Sequence, residues 1–272
     1  MLIRAVAWCL VALVLSPPSH GRESPQARPI LREAVSLTIA GSAESWRLEW
    51  TDTPTPYCHV GEIYMAMTCP CDGLAYGEAG SLELVRSRRP GPDETMSLDP
   101  LFRGVGIMTP IAGSGAVLPK LPYRESDFAR DSRKDPTLAG DISRRPIKRI
   151  MQMADYNHDG WEAKFLLQVD EVPCGRRRFV AVGVTKARPY LHALGSKAWP
   201  EQPLILAGEV WMKLRHGVGP FNVLTWPCGE EGGETESRVL VRVENGELDV
   251  MEEEWSCPTR RRPRHLISRW RR

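Results

Sequence analysis

Trp46, Leu48 and Trp50 alternate with Arg47 and Glu49, and this period-two pattern, repeated in short runs, restricts the fold more than any other feature of the chain. A backbone that buries every second side chain is a strand with one face on a core and one in water. Runs of this kind cover 36–39, 62–67 and 81–87, then 147–153, 165–169, 179–184, 204–214, 221–226, 238–243 and 247–251. Asn245-Gly246 separates the last two, and that pair strongly favours a two-residue hairpin turn. Only 190–196 has helical character. Many short strands at close spacing predict an all-β fold, a sandwich or barrel-like domain with long irregular loops. A propeller is disfavoured, because no repeat of about 40–50 residues is present.

Composition narrows the class further. Of 272 residues 42% are hydrophobic, which excludes a wholly disordered chain. The 36 basic and 34 acidic side chains nearly cancel, so no global field draws the protein to a polyanion and no specific nucleic-acid recognition is expected. Residues 1–21 combine Arg4, an apolar run over 5–15 and small residues before Arg22, the pattern of a secretory signal. That run is shorter than the about 20 residues of a membrane span. The expected organisation is a signal at 1–21, one β-rich domain at 22–258 and a basic tail at 259–272. Within the domain, halves 33–98 and 145–258 are joined by an irregular segment at 99–144, and 22–32 is read as a polar, mobile lead-in. Location is expected to be secreted or periplasmic.

Cysteine parity ties the halves together. Cys9 falls in the signal, leaving Cys58, Cys69, Cys71, Cys174, Cys228 and Cys257 as disulfide candidates. Three precede residue 100 and three follow residue 170, so full internal pairing requires at least one bridge between the halves. Zinc is the rival reading of Cys58, His59, Cys69 and Cys71, but the two-residue gap usual between paired zinc ligands is missing.

One segment carries ligand chemistry. Asp155, Asn157 and Asp159 alternate, Gly160 follows, and Trp161 would present its backbone carbonyl. Oxygens at alternate positions of a tight curve converge on one side, where a hard cation collects them at about 2.3–2.6 Å. Gly160 allows the positive φ such a curve needs. The segment resembles the first half of an EF-hand loop and, with strand-like flanks, the calcium loops of integrin-type FG-GAP repeats. That resemblance implies weak calcium binding, with a Kd of about 10⁻⁴ to 10⁻³ M. Ala163 and Leu166 stand at positions nine and twelve, where further oxygen ligands would be needed. Lys164 brings an ammonium group close by, and His158 occupies a non-ligating, solvent-facing position.

Catalytic patterns are sparse. Ser114 lacks the Gly-x-Ser-x-Gly context, the histidines are scattered singly, and Glu62 and Glu83 are ordinary strand carboxylates. Trp46, Trp50, Trp211, Trp226 and Trp255 lie on or beside strands, where indoles fill cores; exposed, such rings would make a platform for sugar or peptide. The tail carries Arg260, Arg261, Arg262, Arg264, Arg269, Arg271 and Arg272 with no acid. It is read as a solvated end able to meet an anionic surface or the body's own acids, Glu230-Glu231 and Glu252-Glu253-Glu254. The functional expectation is an exported binding or structural protein for a protein or polysaccharide ligand. The alternative is a secreted hydrolase with unidentified carboxylates.

Overall fold

The computed structural model describes residues 28–58, 74, 76–102, 115–172, 176–260 and 262–272. In chain order its elements begin with β1 (Ile30–Ile39), β2 (Ser42–Trp50), β3 (Thr55–Tyr57), β4 (Gly77–Gly80), β5 (Leu82–Arg88) and β6 (Glu94–Ser97). Then come β7 (Ala116–Pro119), α1 (Glu125–Ser132), α2 (Leu138–Ser143), β8 (Lys164–Val172) and β9 (Arg176–Gly183). The chain continues through β10 (His192–Ala193), β11 (Leu206–Ala207) and α3 (Gly208–His216), then β12 (Phe221–Trp226), β13 (Thr235–Glu244), β14 (Glu247–Ser256) and β15 (Leu266–Arg271).

The fold is mostly β, in four antiparallel sheets, and none of them closes into a barrel. One sheet runs β1-β2-β5-β6, one β12-β13-β14-β15 and one β3-β4-β7. In the fourth, β9 has β8 on one edge and β10 and β11 in succession on the other.

The β8–β9 hairpin is the centre of the packing. Phe165, Leu167, Val169, Val180 and Val182 point into one apolar cluster, shared with Trp46, Leu48, Trp50, Leu82 and Leu84. Leu166, Phe179 and Ala181 point into a second, shared with Trp211 and Leu214 of α3 and with Val239, Val241, Leu248 and Val250. Side-chain alternation therefore gives β8 and β9 two buried faces, one against the first sheet and one against α3 and the last sheet. Trp46, Trp50 and Trp211 are fully buried, as the alternation predicts, whereas Trp226 and Trp255 are half-buried.

The Asn245-Gly246 turn joins β13 to β14 with positive φ at both residues, as expected of this pair. Several other expectations are corrected. Residues 204–214 are a two-residue strand and a helix, because Val210, Trp211 and Leu214 share one buried helical face. Residues 190–196 are not helical; His192 and Ala193 pair with β9. Residues 147–153 form no strand, since the N–H groups of Ile150 and Met151 donate to the Glu33 carboxylate and that of Lys148 to the Lys120 carbonyl. The 99–144 segment carries a 3₁₀ turn (Asp99–Phe102), β7, α1 and α2, and β1 already starts inside 22–32. The tail is not a solvated end either. Residues 266–271 pair with β14, and Arg269 and Arg272 meet Glu253 and Glu252, two of the acids named from sequence.

Cys228 and Cys257 are joined by a disulfide, closing a separation of 29 residues at the open end of the β13–β14 hairpin. Cys58 is also disulfide-bonded, which removes it from any zinc set. Cys69, Cys71, Cys174, the signal at 1–21, His59, Glu62, the run at 62–67, Ser114 and Arg261 lie outside the described residues.

Acid sensitivity follows from four groups. Burial pushes the His192 imidazole below its usual range, against the opposing hydrogen bond to the Tyr190 carbonyl. The Arg145 hydrogen bonds outweigh burial and hold the Asp127 carboxyl low. Burial raises Glu44 and Asp159, but their hydrogen bonds to Arg86 and Lys164, with smaller contributions, bring both below the carboxylate range. In each case the unfolded chain takes up the proton first, so stability is full at neutral pH and falls as pH drops. Asp131, raised by burial, acts in the opposite sense. Thermal melting should therefore fall in two stages, from about pH 6.5 for His192 and below about pH 4.5 for the carboxylates. His192→Gln should remove the first stage and leave the second.

Candidate functional site

The segment singled out for calcium lies between the isolated bridge Ala154–Lys164 and the start of β8. Asp155 accepts from the N–H groups of Asp159 (3.2 Å) and Gly160 (2.7 Å), which curls the backbone. Gly160 has φ 88°, the positive value read from sequence, and its Cα side faces Lys186 Nζ. Asp159 accepts from the N–H groups of Trp161 (2.9 Å) and Lys186 (2.9 Å). The Asn157 amide donates to the Gly246 carbonyl at 2.7 Å, so the loop is tied to the β13–β14 turn. Two motifs 89 residues apart thus meet.

His158 is half-buried and only partly faces solvent. Its φ is 51° and its Nε2 donates to the Leu214 carbonyl at 2.6 Å, which holds the loop against the end of α3. Lys164 is more consequential. It is fully buried, and its Nζ donates to Asp155 Oδ1 (3.0 Å), Asp159 Oδ1 (2.6 Å) and the Trp161 carbonyl (2.7 Å). The ammonium sits among three of the four groups expected to receive a cation. Asn157 Oδ1, also buried, has no hydrogen-bond partner among the described residues.

The second candidate site was not singled out from sequence. Two adjoining hollows of about 380 and 430 Å³ share Arg178, Ile205, Trp270 and Arg272 as lining. Trp199 and Arg271 complete one end, and Trp226 and Arg238 the other. Trp199 and Trp270 are 53% and 40% exposed, large areas for indole rings. β15 places Trp270 here by pairing with β14, and Arg272 follows it with its N–H on the Val250 carbonyl; β9 supplies Arg178 and β11 the floor.

Charge in the groove is unevenly spent. Glu252 and Glu253 are its acids, and they are engaged by Arg272 (2.9 Å) and Arg269 (2.7 Å). Arg238 is held by Glu236 at 2.7 Å. Among the described residues, Arg178 and Arg271 reach their nearest carboxylates only at 3.9 and 4.0 Å, and both are widely exposed. At such lengths an ion pair contributes little, so these two guanidiniums keep their five-donor forks open to a ligand. The only sequence signals are the basic tail and the alternative reading of tryptophan as a platform, which does not include Trp199 or Trp270, and neither specifies that the tail folds back as a strand.

Catalytic geometry is thin. Ser256 Oγ lies 2.7 Å from His265 Nδ1, but the same Oγ accepts from the His265 backbone, and no carboxylate among the described residues orients the ring. Glu83 sits on β5 opposite Glu49 as an ordinary strand carboxylate. No group of three metal-binding side chains is found among the described residues. No family model matches the chain, and comparison with curated proteins and with solved structures gives no match.

Proposed function

We propose that this is an exported binding protein whose Trp–Arg groove takes an acidic polysaccharide. The observation that carries the reading is the joint exposure of Trp199 and Trp270 beside Arg178 and Arg271, whose charges are barely engaged. An indole face covers the apolar face of a sugar ring, and a guanidinium fork matches a carboxylate or sulfate. The two hollows end to end suit an extended chain of residues better than a single small molecule. Export is supported by the Cys228–Cys257 and Cys58 disulfides, which persist in oxidising compartments. Among the described residues no helix is long and apolar enough to cross a membrane.

The test is calorimetry and tryptophan fluorescence with polygalacturonate and heparin as probes, and with a neutral glucan as control. Binding to an acidic glycan should weaken as salt rises, because the exposed guanidiniums are screened. Trp270→Ala and Arg178→Ala should each lower affinity about tenfold, which is roughly 1.4 kcal/mol, without shifting the melting temperature. Absence of binding to both acidic glycans, or equal binding by the Trp270→Ala variant, overturns the reading.

A further inference from the structure

We propose that the Lys164 ammonium is the resident cation of the 155–161 loop, and that loss of this lysine would turn the same oxygens into a divalent-cation site. The match of donors to acceptors carries the inference. A lysine ammonium has three N–H donors and no other valence to satisfy. Lys164 Nζ meets three acceptors, Asp155 Oδ1, Asp159 Oδ1 and the Trp161 carbonyl, at 2.6–3.0 Å. These are positions one, five and seven of the loop. The side chain is fully buried, so no water competes for the three bonds.

A calcium ion asks for more than the loop supplies. It takes six to eight oxygens, whereas positions nine and twelve are Ala163, fully buried, and Leu166. It would also have to share the two carboxylates with a positive charge anchored at the start of β8. The Lys164 backbone is fixed by pairing with Ala154 and with Gly183, whose Cα leaves no room for a side chain against the Ala163 carbonyl, and the fully buried side chain ends on three acceptors inside the loop. With the lysine present, the donor set therefore fits an ammonium and not a calcium ion.

What remains without the lysine does resemble a chelating bend. Asp155, Asp159 and the Trp161 carbonyl would keep their places, since backbone N–H groups hold both carboxylates independently of Lys164. Asn157, whose Nδ2 lies 3.3 Å from Asp159 Oδ2, carries a further oxygen, Oδ1, that is buried and without a partner among the described residues. The loop is thus filled by a covalently attached cation where a chelating bend would hold a dissociable one.

Terbium luminescence sensitised by Trp161, together with melting in calcium and in EDTA, tests this on the full chain. The unaltered protein should melt alike in about 1 mM calcium, the upper end for extracellular modules, and in EDTA, and give no sensitised emission. Lys164→Ala should melt several degrees lower in EDTA, recover in calcium, and show emission that Asp159→Asn in the same background abolishes. A calcium-dependent melting shift in the unaltered protein overturns the proposal, as does a folded Lys164→Ala variant indifferent to calcium. Should that variant not fold in either medium, the ¹⁵Nζ spectrum of the unaltered protein decides. A slowly exchanging lysine ammonium signal, unmoved by calcium, supports the proposal, and its absence overturns it.

Discussion

Glu44→Ala is expected to destabilise the protein by about 3–5 kcal/mol, the scale for removing one partner of a buried ion pair. Glu44 of β2 and Arg86 of β5 reach each other diagonally, Glu44 lying opposite Arg88 and Arg86 opposite Trp46, in a two-pronged pair with Arg86 Nε and Nη2 each 2.7 Å from a carboxylate oxygen. Both side chains are 2–3% exposed. Without Glu44 the guanidinium keeps only Glu94 at 3.2 Å, the Pro189 carbonyl at 2.7 Å and the face of Trp46. The Trp46 indole N–H also loses its acceptor. Most of the cost is the stranded charge and not the lost attraction. Glu44→Leu combined with Arg86→Leu should therefore be less destabilised than Glu44→Ala alone. Urea unfolding of the unaltered protein and these two variants reads this directly, and a double variant no more stable than Glu44→Ala would refute the account.

How much of this was legible in advance depends on how local the cause is. β2, β8, β9 and the β13–β14 hairpin follow from residues within a few positions, through alternation or through the turn preference of Asn245-Gly246. The helix α3 was hidden by its neighbours: 204–214 is apolar enough to pass for a strand until the exposed Met212, Lys213 and Arg215 are set against buried Val210, Trp211 and Leu214. That spacing was in the sequence and is the signal that would have found the helix. Residues 147–153 could not be read locally, because the partner of their N–H groups is a carboxylate more than a hundred positions away. The tail likewise needed the acids of β14 to become a strand.

The two candidate sites divide along the same line. The loop at 155–161 was visible as a spacing of oxygens, and Lys164 was visible as a nearby charge. What spacing could not give is direction, since Nζ reaches the centre only because Lys164 opens a strand whose pleat turns the side chain inward. The groove was invisible altogether. Its walls come from β9, β11, the segment around Trp199 and β15, which only the tertiary fold assembles.

Trp211→Ala should cost about 3–5 kcal/mol, as large aromatic deletions in a core do. The indole is fully buried, lies edge-on to Tyr156 at 5.7 Å, and donates its N–H to the Phe179 carbonyl at 2.9 Å. Truncation opens a void between β9 and α3 and leaves that carbonyl without its donor. Trp211→Phe separates the two effects: it keeps most of the volume and should cost about 1–3 kcal/mol, the scale of an unsatisfied buried polar group. The consequence reaches the groove. Leu206 and Ala207 pair with β9, line one hollow and run directly into α3, so the ring that anchors the helix also holds the groove floor in place. Trp211→Ala should thus weaken acidic-glycan binding even at temperatures where the chain is still folded, whereas Trp46→Ala, equally buried in the other cluster, should lower stability to a similar degree and leave binding unchanged. Calorimetry on both variants well below their melting transitions distinguishes a floor supported by α3 from a groove that needs only a folded protein.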